Sequence, residues 1–166
     1  MRWTVPDVRW AQRCAFVIAL LGASPAYAQD GFETLAGVWT GNGAVQTSDG
    51  AHERVKCRAN YDVKSGGRSV ALELRCASDA YKFDLNSNLV QDGETLTGNW
   101  FEVTHRVGGR ISGRNVDGRI EARAEGDTFT ALLTVGTKAN RQSFLMESPG
   151  AMVSQVSIDL VKGSSR

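Results

Sequence analysis

Glu102 is the side chain with the most obvious chemical use. It closes the run Leu96-x-Gly98-x-Trp100-x-Glu102. A period of two puts these four residues on one face of a strand, and the apolar company makes that face the inner one. A carboxylate so placed must be paired, hydrogen-bonded or protonated. Two readings follow: a polar group that orients a ligand in a mostly apolar cup, or a strand-end carboxylate at the rim that meets an arginine or water. His105 lies three positions on. Residues three apart on a strand point to opposite faces, so this pair is not expected to share a metal. His52 falls in a turn and is expected to be solvated.

Other routes to catalysis lack their parts. No G-x-S-x-G elbow offers an activated serine, and no pair of carboxylates suited to hydrolysis stands out. Gly108 to Arg114 (GGRISGR) has the glycine content of a phosphate loop without its Lys-Ser/Thr ending or following helix, and reads as a glycine-rich hairpin with solvated arginines. Two histidines and no free cysteine do not build a His/Cys metal cluster. No catalytic residue, metal site or cofactor is expected. Trp39, Tyr61, Phe83 and Trp100 fall on inward positions, as core or as the wall of a binding cavity.

The elements that must carry these residues are strands. Beyond the first 28 residues no segment keeps a 3.6-residue apolar period, whereas alternation of period two recurs between glycine-containing turns. Strands are predicted at 37–46, 52–63, 69–78, 80–90, 94–104, 110–116, 119–125, 128–135, 141–147 and 152–162. Around Gly66-Gly67 a two-residue hairpin loop sets Val63 against Val70, Tyr61 against Leu72, Ala59 against Leu74 and Cys57 against Cys76. Arg54, Lys56, Arg58, Asp62, Glu73 and Arg75 take the opposite face. In that register the cysteines form a hydrogen-bonded pair with Cα atoms ~5.5 Å apart. A second turn, at Asp92-Gly93, sets Leu89 against Leu96, Leu85 against Trp100 and Phe83 against Glu102. In the last strand Val156, Ile158 and Leu160 point inward. A short echo, T-L-x-G-x-W at Thr34–Trp39 and Thr95–Trp100, is common strand chemistry.

The first residues are expected to leave the chain. Arg2, Arg9 and Arg13 precede a ten-residue apolar run, Cys14 to Ala23, and Ala26-Tyr27-Ala28 is a peptidase site. This makes 1–28 a cleavable signal peptide and 29–166 one domain with a frayed C-terminal tail. The run is too short to cross a bilayer. Three arginines and Asp7 leave with it, so the formal charge falls from +1 to −1, which argues against a nucleic-acid partner. Cys57 and Cys76 remain, an even pair expected to form a disulfide in an oxidising compartment, periplasmic or extracellular.

Ten short strands joined mainly by tight turns predict an antiparallel up-and-down β-barrel of about 8–10 strands, since closure removes exposed edges. A two-sheet β-sandwich is the alternative. Charges on the outer face argue against a membrane-inserted barrel. Gly37-Val38-Trp39 resembles the G-x-W that opens lipocalins and related calycin barrels, the avidins included. That resemblance implies a tryptophan plugging one end and an open end that holds a small ligand. The lipocalin T-D-Y signature is missing, Asn60-Tyr61-Asp62 not matching it. Gly37–Gly41, Val55–Arg58, Leu74–Ala77 and Leu96–Trp100 also resemble a group of small exported alphaproteobacterial proteins of unknown function. The G-x-W and paired cysteines are similar to those of secreted inhibitors of bacterial metalloproteases.

These readings converge on an exported, non-enzymatic, calycin-like barrel. Its expected partner is a small, largely apolar molecule held by Trp39, Tyr61, Phe83 and Trp100 and oriented by Glu102. The alternative is a protein-binding envelope accessory or protease-inhibitor-like barrel acting through its outer face or loops.

Overall fold

The computed structural model describes residues 31–128 and 130–163. The expected signal peptide and the last residues of the expected tail lie outside the described residues. Alternation shapes the described chain almost throughout. In β2 (His52–Lys64) Val55, Cys57, Ala59 and Tyr61 are buried, and Arg54, Lys56, Arg58 and Asp62 between them are exposed. The rhythm recurs in β1 (Gly37–Thr47), β3 (Ser69–Ala77), β4 (Lys82–Asp92), β5 (Thr95–Glu102), β6 (Val107–Val116), β7 (Arg119–Gly126) and β10 (Val153–Lys162), and is blunted in β8 (Thr130–Lys138) and β9 (Arg141–Glu147), where successive residues are half-buried. Gly108 to Arg114 is part of β6 and forms no loop.

Each strand pairs antiparallel with the next, and β10 returns to pair with β1, so the sheet closes into a ten-stranded barrel. This excludes the sandwich. The closing seam runs from Trp39↔Lys162 to Thr47↔Val153. It needs a bare backbone at Gly41, where a Cβ would sit 1.8 Å from the carbonyl oxygen of Asp159.

The β2–β3 register is the expected one, with Val63↔Val70, Tyr61↔Leu72, Ala59↔Leu74 and Cys57↔Cys76. The cysteines form the disulfide. Their Cα atoms are 4.1 Å apart, the spacing of a non-hydrogen-bonded pair rather than the wider one expected. The ladder closes at Lys64↔Ser69 and leaves a four-residue loop, which moves the bonding phase by one residue. Neighbours hold that loop open: Phe32 N–H donates to Gly67 O and Gln91 N–H to Arg68 O, each at 2.8 Å.

The β4–β5 register differs from expectation by two residues. The ladder closes at Asp92↔Thr95 around Gly93-Glu94, so Leu89 opposes Gly98, Ser87 opposes Trp100 and Leu85 opposes Glu102. Packing explains the choice. A Cβ at Gly98 would fall 2.9 Å from Leu89 Cδ2, so the leucine occupies the space that glycine leaves. The shift is even, and each side chain keeps its predicted face.

The two barrel ends differ. A one-turn 3-10 helix, Glu33–Leu35, caps the end where β1 begins, with Phe32 and Leu35 buried beneath it. Trp39 Nε1–H donates to Leu35 O at 2.7 Å, and the Lys162 ammonium, which lies over the Trp39 ring, donates to Thr34 O. The opposite end carries the turns before β2, β4, β6, β8 and β10 and has no such cap among the described residues. No helix among the described residues is long and apolar enough to cross a membrane.

Candidate functional site

A cavity of about 360 Å³ lies inside the barrel beneath the uncapped end. Its wall includes Phe83 and Leu85 from β4, Trp100 from β5, Ile111 from β6, Leu133 from β8 and Met146 from β9. Phe83, Leu85, Leu133 and Met146 all point inward yet are only half-buried. Such exposure on an inward face is the mark of space inside, which a ten-stranded wall makes wide. Ala124 and Ala131 enlarge it by being small. Tyr81, His105, Val107 and Met152 stand at the mouth.

The structure divides the aromatic set expected to bind the ligand. Phe83, Trp100 and Glu102 line the cavity. Trp39 and Tyr61 do not: they meet edge to face at 6.3 Å towards the capped end. Trp39 has no exposed surface there. Tyr61 O–H donates to Gln142 Oε1 at 2.6 Å, and Gln142 Nε2 to Thr137 Oγ1. Burial raises the Tyr61 phenol well above its ordinary pKa, with the Gln142 contact opposing the shift, so it stays protonated. Alternation shows which face a residue takes, not how far along the barrel it sits.

Glu102 ends β5 on the inner face, 2% exposed. Oε1 accepts from Asp84 N–H at 2.9 Å and Thr104 N–H at 3.0 Å. Oε2 accepts from His105 N–H at 2.6 Å and lies 2.7 Å from His105 Nδ1. Burial is the largest single influence on its pKa and acts upward. The hydrogen bonds from Asp84, His105 and Thr104 together outweigh it and hold the carboxyl below its usual value. Glu102 is therefore ionised at neutral pH. The Tyr81 phenol is pushed up by burial and then by the Glu102 charge.

The Glu102–His105 contact overturns the expectation that the two side chains diverge. That expectation took the strand to run through residue 104. β5 stops at Glu102, and residues 103–106 form a turn in which Arg106 takes a φ of 58°. The turn brings the imidazole, half-exposed, back over the carboxylate. Val103-Thr104-His105-Arg106 contains none of the Gly, Pro, Asn or Asp residues that announce a turn. Among the described residues no group of three or more His, Cys, Asp or Glu side chains converges as a metal site would require.

No protein-family model matches the chain, and no curated protein does. Solved structures do. Rv2717c from M. tuberculosis superposes with a TM-score of 0.67 at 11% identity, covering 80% of this chain and 95% of its own. The S-type phycobiliprotein lyase CPES from Guillardia theta gives 0.54 at 10% identity, covering 81% of this chain and 92% of its own. At such identities the likeness speaks to the fold, and in fold this chain is a closed, antiparallel, lipocalin-like barrel.

Proposed function

We propose that this chain is an exported protein whose barrel binds one small, largely apolar molecule beneath its uncapped end, without chemical turnover. The observation that carries the reading is the cavity itself, about 360 Å³ walled mainly by apolar side chains. It is of the size that encloses a compact organic molecule. Removal of 1–28 and a destination in the periplasm or outside the cell follow from the leader pattern, and the Cys57–Cys76 disulfide suits that destination. Arg54, Lys56, Arg58, Glu73 and Arg75 on the outer wall fit a barrel that stands in water and inserts in no membrane.

The test is native mass spectrometry of the protein recovered from the extracytoplasmic fraction. The expected result is a chain beginning at Gln29, two hydrogens lighter for the disulfide, with part of the population carrying a non-covalent small molecule. A bare polypeptide that also fails to take up apolar probes from solution would overturn the reading. One observation favours a second reading, an enzyme: the Glu102–His105 hydrogen bond stands at the cavity mouth and is the geometry of an oriented general base. Conversion of the bound molecule on incubation, rather than its recovery unchanged, would select it.

A further inference from the structure

The polar contact for a ligand follows from a count of lone pairs. It rests on the cavity-binding reading above. An ionised carboxylate offers about four acceptor sites and no donor. Glu102 already meets four donors: Asp84 N–H and Thr104 N–H on one oxygen, His105 N–H and the His105 ring on the other. Little acceptor capacity is left for a bound molecule. Its effect passes instead to His105. An acceptor-only oxygen 2.7 Å from Nδ1 requires the proton on Nδ1. In the neutral imidazole Nε2 is then the acceptor, on a ring that lines the mouth.

We infer that His105 Nε2 is the polar anchor of the cavity and that its ligands are apolar molecules bearing a hydroxyl, alcohols or phenols, rather than carboxylates. A hydroxyl can donate to Nε2. A carboxylate would bring acceptor to acceptor beside the Glu102 charge, and no arginine or lysine is among the described residues lining the cavity to offset it. The Ser148 hydroxyl is already committed to Thr130 O at 2.9 Å. Glu102 acts here as a positioning residue that fixes the imidazole tautomer.

The test uses the processed, disulfide-bonded chain and three probes of one shape: 2-naphthol, 2-methoxynaphthalene and 2-naphthoate, titrated by calorimetry at about pH 8 to favour the neutral ring. 2-Naphthol is expected to bind roughly five- to tenfold more tightly than the methyl ether, the worth of about one net hydrogen bond, and 2-naphthoate more weakly than either. His105→Phe should remove the preference, so that 2-naphthol and its methyl ether bind the variant equally. Equal binding of naphthol and ether, tighter binding of naphthoate, or a naphthol preference that survives His105→Phe sinks the inference and leaves the cavity reading intact. Binding of none of the three sinks the cavity reading as well. The tautomer has its own readout. Long-range 1H–15N correlation on 15N-histidine protein at about pH 8 should show a proton on Nδ1 and none on Nε2 of His105. Glu102→Gln should mix the two forms. A proton on Nε2 in the native chain overturns the assignment whatever the ligands do.

Discussion

Glu102 is a buried carboxylate whose surroundings make it testable by both stability and probe binding. Its carboxylate collects backbone donors from β4 and from its own turn. Glu102→Ala would leave those N–H groups without their acceptor, at a cost of about 3 kcal/mol, measurable by urea denaturation at pH 7. The pH dependence has a definite sign. The folded pKa is lowered, below an unfolded value of about 4.3, so near that pH the unfolded chain holds more protons and stability rises with pH. The contribution is complete above about pH 4.3 and is lost as pH falls through the folded value. Glu102→Gln should therefore flatten the acid limb of a stability–pH curve; an unchanged limb would remove Glu102 as its source. Tyr61 makes the contrast. Tyr61→Phe takes the donor from Gln142 Oε1 and should cost about 1–2 kcal/mol, yet leave probe affinity unaltered, since Tyr61 lies away from the cavity.

At the level of elements the barrel is held by its seam and by one hairpin. Gly41 lets β1 lie against β10 where a Cβ would meet the Asp159 carbonyl. Gly41→Ala is expected to lower stability by about 1–3 kcal/mol, seen as a reduced melting temperature, and a melt equal to that of the native chain would show that the seam gives way freely. The disulfide clips β2 to β3 across a sequence separation of 19. Reduction should cost ~3 kcal/mol on the chain-entropy model while far-UV circular dichroism stays unchanged. The β2–β3 ladder runs from Lys64↔Ser69 to Lys56↔Ala77 by its own pairs, and closure depends on β1 and β10. Collapse of the β signal on reduction would show the bond to be a condition of folding.

For the whole molecule, the asymmetry of the ends is what turns a barrel into a cup. The capped end is filled by Phe32, Leu35 and Trp39 and crossed by hydrogen-bonded polar side chains, among them Asn115, whose Nδ2 donates to Gln91 Oε1. Space collects at the other end, where the inward positions of β7 and β8 include Ala124 and Ala131. Ala131→Trp should fill that space. Binding of 2-methoxynaphthalene is expected to fall at least tenfold with the fold retained by circular dichroism, and undiminished binding would place the probe elsewhere. The alternative of a protein-binding face finds exposed apolar side chains at both ends: Phe101, Val103, Val107 and Met152 at the open one, Val90, Val116 and Val161 at the capped one.

Alternation and turn residues were enough to determine ten strands, their faces, the β2–β3 pairing and the partners of the disulfide, because a period of two and a glycine turn act over a few neighbouring residues. The β4–β5 register was beyond that reach. Two turns one residue apart give registers that differ by two and preserve every face, and Leu89 settling over Gly98 favours the one adopted. Depth along the barrel was likewise decided by the closed sheet, which sent Trp39 and Tyr61 towards the capped end and Phe83, Trp100 and Glu102 to the cavity. So was the meeting of His105 with Glu102, made by a turn whose residues carry no turn signal. Local patterning sets which way a side chain faces. Only the assembled barrel sets what it faces, because that depends on strands distant in the sequence.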